Sequence, residues 1–235
     1  MSSSRAAPRL FVLACLACVI VALFRQGWVP AAVSPVPALD LDAPAEWLLD
    51  WQLAALKHDR VACERTVRQP WVDATPVADR PLEAGCGWEN AVRFSKVGDV
   101  SIAVDRLSCE EAGAFALWIA RDVQPQAESF FGRRVRSIGH MGTYACRNVV
   151  GTRFGGFMRS EHASTNAIDI GSFTLADGRT ITVAKHWGGD GPESRFLHAV
   201  HDGACRYFRV VLGPDYNAAH RDHFHLDRGP FPGCH

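Results

Sequence analysis

The residues best equipped for chemistry lie near the end of the chain, in His220-Arg221-Asp222-His223-Phe224-His225-Leu226-Asp227. A second segment, Ser160-Glu161-His162-Ala163-Ser164-Thr165-Asn166-Ala167-Ile168-Asp169-Ile170, adds a histidine and a carboxylate seven residues apart. Two imidazole nitrogens and one carboxylate oxygen form a three-ligand zinc set that leaves a fourth position for water. An open site of that kind points to hydrolysis. In an extended chain successive side chains alternate between faces, so His223, His225 and Asp227 share one face, and Phe224 and Leu226 the other. Asp169 stands between Ile168 and Ile170 in the same manner. A carboxylate so placed is costly to bury unless it meets a cation. Spacing alone fits a histidine-rich surface loop equally well, because the two segments have to meet in space. Other divalent ions also suit these ligands.

The elements that must position these residues are short and mixed. Helical spacing covers 42–59, 109–119 and 192–208; strand candidates cover 91–94, 100–104, 134–138, 167–175, 180–184, 209–212 and 223–227. Ala176-Asp177-Gly178-Arg179 is a turn joining two of those strands into a hairpin. Pro70, Pro76 and Pro81 mark 69–87 as a loop. The pattern predicts an α+β domain, a small antiparallel sheet with flanking helices.

The chain has 235 residues, 48% of them hydrophobic, and no formal net charge. That suffices for one sizeable domain and speaks against a nucleic-acid partner. There is no phosphate-binding glycine loop and no dinucleotide fingerprint. An unbroken apolar run, 10–24, follows Arg5 and Arg9 and precedes Arg25. With Gly27, Trp28 and Val29 it makes 1–29 a membrane anchor; Ala31-Ala32 alternatively offers a signal cleavage site. Either way the bulk of the chain is exported. Segment 30–44 is rich in proline and alanine and is expected to be a linker ahead of the domain at 45–235. Cys15 and Cys18 lie in the apolar run. Cys63, Cys86, Cys109, Cys146, Cys205 and Cys234 are an even set, expected to form three disulfides in an oxidising compartment.

Ser160-x-His162 followed by Ala167-x-Asp169 resembles the Ser-x-His-x-x-Gly-x-Ala-x-Asp signature of the D-Ala-D-Ala peptidases. That superfamily includes lysostaphin-type enzymes and the hedgehog domain. The resemblance implies a disulfide-stapled version of that zinc fold, with one Zn2+ per chain held by His162, Asp169 and a later histidine. His220-x-x-His223-x-His225 is similar to the terminal histidine run of the murein endopeptidases, which places the third ligand at His225. It implies a catalytic helper at Asp222 or His223; strand parity favours His223. Tyr144-x-x-Arg147 is similar to an element that holds a substrate carboxylate, implying that role for Arg147; Ser160 and His220 are further candidates for substrate contact. Thr165 departs from the signature's glycine. More broadly, Tyr144-Ala145-Cys146-Arg147, Leu212-Gly213-Pro214-Asp215-Tyr216-Asn217 and His223-Phe224-His225-Leu226-Asp227 resemble the bacterial extensin-like C-terminal domain over about 63–234. The resemblances together lead to the expectation of a periplasmic zinc peptidase anchored in the inner membrane, acting on peptidoglycan stem peptides as a D,D-carboxypeptidase or endopeptidase. The alternative is a non-catalytic, zinc-containing wall-binding or structural domain.

Overall fold

The structure is a computed structural model that describes residues 6–150 and 155–235; Arg5 lies outside the described residues. The apolar run folds as helix α1 (Ala6–Arg25), and its stretch Pro8–Arg25 is long and apolar enough to cross a membrane, with none of it buried in the protein. Cys15 and Cys18 are free thiols exposed on this helix. The next helical stretch divides into α2 (Leu49–Ala54) and α3 (Arg60–Val67) instead of running through 42–59 as one helix. Asp59 causes the restart: its carboxylate accepts from Ala62 N and caps α3. Segment 30–44 is not a free spacer. Leu39 and Leu41 are buried in the core, and Gln52 Nε2 donates to the Pro37 and Ala38 carbonyls.

The strands that come next are β1 (Val72–Pro76), β2 (Arg80–Glu83), β3 (Cys86–Trp88), β4 (Ala91–Val97) and β5 (Val100–Ser108). Helices α4 (Cys109–Trp118) and α5 (Gln124–Phe131) then lead to β6 (Val135–Gly142), β7 (Ala167–Leu175) and β8 (Thr180–Thr182). Last come α6 (Val183–His186), α7 (Pro192–Ala204), β9 (Val210–Leu212), β10 (Phe224–Asp227) and β11 (Gly233–Cys234). The fold is α+β, but its sheet is not the small antiparallel one expected. Nine strands run in the order β1-β4-β5-β6-β7-β10-β9-β11, with β8 also on β7, and β2-β3 form a separate ribbon. Two pairings are parallel, β5 with β6 and β9 with β11. Parallel neighbours need a long crossover, which α4 and α5 supply between β5 and β6. The first three strands arise where proline had suggested a loop. Pro76 closes β1 at the sheet edge, where a missing N–H breaks no ladder.

All ten residues of α4 are buried, Glu110 and Glu111 included. A helix apolar around most of its circumference belongs in the core. Trp118 at its end packs against Phe115, Phe173 and Phe208 and donates from Nε1 to the Val200 carbonyl at 2.8 Å. The three disulfides are Cys63–Cys109, Cys86–Cys146 and Cys205–Cys234. They join α3 to α4, β3 to the loop after β6, and the end of α7 to β11. Helix α7 stops at Ala204, short of the predicted residue 208, and the chain turns there toward β9.

Candidate metal centre

Strands β7 and β10 are antiparallel neighbours, and their register sets Asp169 directly opposite His225. Opposed residues project from the same face of a sheet. Ile168, Ile170, Phe224 and Leu226 are completely buried on the other face, as the alternation predicts. His162 arrives from a 3-10 turn, Glu161–Ser164, whose preceding Ser160 accepts from His162 N through its Oγ. The turn ends at Thr165 with φ +57, a left-handed conformation. This is the position where the signature has glycine, which adopts such a φ freely while a β-branched residue does not.

The three ligand candidates converge. His162 Nε2 lies 3.2 Å from Asp169 Oδ1 and 3.2 Å from His225 Nδ1; His225 Nδ1 lies 3.0 Å from Asp169 Oδ1. A tetrahedral shell with bonds of 2.0–2.1 Å places neighbouring ligand atoms about 3.3 Å apart. Two imidazole nitrogens facing each other at 3.2 Å require a proton or a metal ion between their lone pairs. The donor set and its spacing both fit zinc. The other ring nitrogen of His225 is held as well: Nε2 meets Asp227 Oδ2 at 2.8 Å, and Asp227 Oδ1 accepts from Gly229 N at 2.7 Å. A carboxylate behind a ligating histidine fixes its tautomer and ring orientation.

Electrostatics derive from this packing. Burial by itself raises the Asp169 carboxyl, but hydrogen bonds from the His162 and His225 rings hold it far below the usual carboxylate range. Burial lowers the His225 imidazole, yet the carboxylates of Asp169 and Asp227, one at each ring nitrogen, push it up to about 9. Without an ion the cluster therefore carries a proton in the ion's place. Burial, with the neighbouring His225 and His223, pushes His220 down to about 4, so its ring is neutral near pH 7.

Asp222 and His223, alternatives in the sequence, form one dyad. His223 Nδ1 meets Asp222 Oδ1 at 2.9 Å, and His223 Nε2 stands 3.6 Å from Asp169 Oδ1. The His220 ring packs against His223 and His225, with Nδ1 on Asn217 Oδ1 at 2.9 Å. A cleft of about 410 Å³ opens beside the cluster, with His220, His225, Asp227, Ser160 and Arg147 on its walls; of the three ligand candidates His225 alone lines it. Val149, Met158 and Phe231 give it an apolar side. Arg147 forms no ion pair among the described residues; it donates to the Asn148 carbonyl at 3.4 Å. Its sequence companion Tyr144 packs edge-on against Trp88 instead of lining the cleft. Sequence reasoning placed Asp227 on the right face but gave it no part in the site. The apolar wall left no signal, since its residues are scattered along the chain.

Fold and site define a class: a disulfide-stapled α+β domain carrying a two-histidine, one-aspartate cluster, preceded by an apolar helix. Within that class the chain belongs to the extensin-like family: residues 61–235 match the family described as Extensin-like protein C-terminus. No curated protein and no solved structure gives a significant match. The resemblance to the D-Ala-D-Ala peptidases therefore rests on the motif residues alone.

Proposed function

We propose that this chain is an exported zinc peptidase that hydrolyses peptidoglycan stem peptides from the periplasmic side of the inner membrane. The observation that supports this best is the triangle of His162 Nε2, Asp169 Oδ1 and His225 Nδ1, every edge 3.0–3.2 Å, with His225 on the wall of a cleft. A zinc ion bound there supplies Lewis-acid polarisation of an amide carbonyl and lowers the pKa of a nucleophilic water. His223, oriented through Nδ1 by Asp222, presents Nε2 to the site to take up a proton or to donate to a developing oxyanion. Arg147 is placed to pair with a peptide carboxylate, which it can grip with two parallel N–H donors. The apolar wall suits alanine side chains.

A second reading has an observation of its own. His162 and His225 are only 2% and 9% exposed, and the cluster ties a turn to two strands. That suits a structural ion in a non-catalytic wall-binding domain. Metal analysis and a muropeptide digest separate the two. The peptidase reading expects about one zinc per chain, lost in His162→Ala, and new peptide products by mass spectrometry. Absence of bound metal defeats both readings. Stoichiometric zinc without any product defeats the peptidase alone.

A further inference from the structure

The foot of α1 is keyed into the domain. Arg209, which is buried, donates through Nη2 to the Arg25 carbonyl at 3.0 Å. That carbonyl belongs to the last turn of the helix, where no partner exists within the helix itself. A cation there also complements the helix dipole. The same guanidinium binds Asp50 through Nε at 2.8 Å and Nη2 at 3.2 Å. Asp50 also accepts from Arg228 at 2.8 Å and lies 3.9 Å from Arg25. Phe24 stacks on Trp51, and Trp28 on His58, with centroids 5.3 and 4.2 Å apart. Gly27 turns at φ +71 so close to Ala54 that a Cβ would overlap its carbonyl. Ala31 N donates to Asp59 Oδ2 at 3.2 Å. Cleavage at Ala31-Ala32 would strip away the contacts of Phe24, Arg25, Gly27, Trp28 and Ala31 and leave Arg209 without the carbonyl it caps.

Large apolar side chains surround this foot and remain mostly exposed, Trp28 with one face on His58. Trp28 is 62% exposed, Val33 73% and Trp47 86%. Trp47 stands one helical turn before Trp51, which holds Phe24. Tryptophan is the side chain that concentrates at the membrane–water boundary. Cations share the region: Arg25, Arg206, Arg209 and Arg228, three of them paired with Asp50 and Arg206 with Asp122, line a cavity of about 470 Å³ beside the helix end. We propose that α1 is retained in the mature protein and that Trp28, Trp47, Arg25 and Arg206 form a face that lies on the lipid bilayer and holds the domain in one orientation. This rests on reading α1 as a membrane span and is independent of the metal. The consequence reaches the metal cleft. Pro232 and Gly233 line both that cleft and the arginine cavity, so the two adjoin. A domain of this size has a radius of gyration of about 17 Å, so the cleft works within roughly 45 Å of the bilayer surface. On the peptidase reading above, its substrate would then be the layer of wall, or of wall precursor, nearest the membrane.

The test uses the full chain, expressed in a bacterium, extracted from membranes and reconstituted in phosphatidylethanolamine–phosphatidylglycerol vesicles with brominated acyl chains. Intact mass should retain the N-terminal segment. Bromolipid should quench tryptophan fluorescence, and about half or more of that quenching should vanish in Trp28→Phe/Trp47→Phe, because those two indoles sit at the interface. Both residues are exposed, so the variant keeps its fold. A soluble mature chain beginning near residue 32 overturns the anchor reading and the docking face together. A retained helix with quenching unchanged in the double variant overturns the docking face alone.

Discussion

Asp227→Asn tests the metal centre through a residue that need not touch the ion. Asp227 Oδ2 receives His225 Nε2 at 2.8 Å, while Oδ1 holds Gly229 N at 2.7 Å. In the asparagine variant one of these partners must face an NH2 group. If Gly229 keeps its oxygen, His225 Nε2 meets a donor, and the imidazole must move its proton to Nδ1, the atom proposed to ligate the metal. If the amide flips, the Gly229 bond is lost, at about 0.5–1.5 kcal/mol. Removing a carboxylate behind a ligating histidine typically costs ~10–100-fold in metal affinity, or about 1.4–2.7 kcal/mol. The proton has an opposing effect. His225 sits at about 9 in the metal-free chain, so at pH 7 a zinc ion binding there would have to displace a proton. The variant holds that proton less tightly. Zinc affinity measured by chelator competition between about pH 6.5 and 8.5 separates the two: the wild-type logarithm should rise by roughly one per pH unit, and the variant's slope should be shallower. A wild-type affinity independent of pH, or a variant within about twofold of wild type throughout, refutes this reasoning.

Stability of the chelator-treated chain should depend on pH in a stated direction. His225 is raised in the folded state, so its contribution is complete below about 6.5 and is lost as pH climbs through about 9. Asp169 is depressed, so its contribution is present above about 4 and is lost on acidification. Thermal melts of the metal-free chain should therefore decline from pH 6.5 to 9, and added zinc should reverse the decline. On the peptidase reading, His223→Gln should cut muropeptide turnover about 10²–10⁴-fold while zinc content stays at wild type; loss of metal would show that His223 is a ligand. Asp222→Asn, which alters only the orienting partner, should fall between wild type and His223→Gln in kcat. Glu111 is fully buried, its carboxylate oxygens have no partner among the described residues, and burial together with Asp227 raises its pKa well above normal. Ionising it opposes folding, so Glu111→Gln should raise the melting temperature more at pH 8 than at pH 5. An equal shift at both would mean that burial does not raise the Glu111 carboxyl above its unfolded value.

The legible part of the site was local. Alternation with period 2 needs no knowledge of the fold, and it placed Asp169 and His225 opposite the buried faces of Ile168, Ile170, Phe224 and Leu226. The elements that went unread depend on neighbours. Proline at positions 70, 76 and 81 argued against strands, yet β1 forms because it needs only one partner, β4, at the sheet edge. Segment 30–44 has a linker's composition; Leu39 and Leu41 nevertheless find a core made by residues far along the chain. The Thr165 turn was marked as a departure from a glycine, and its positive φ explains the difference.

By itself the sequence determined which residues can ligate, which faces of two strands they occupy, that six cysteines are paired, and that an apolar helix precedes the domain. Only the tertiary structure decided that Asp169 stands across from His225, that Asp222 serves His223, that Asp227 backs His225, and that Arg209 grips the end of α1. Each of these joins groups whose meeting depends on strand register, on turn geometry or on packing between elements as much as 184 residues apart, as Arg25 and Arg209 are. Side-chain type and spacing specify what a group can bond to; the closure of the chain specifies what comes within 3 Å of it.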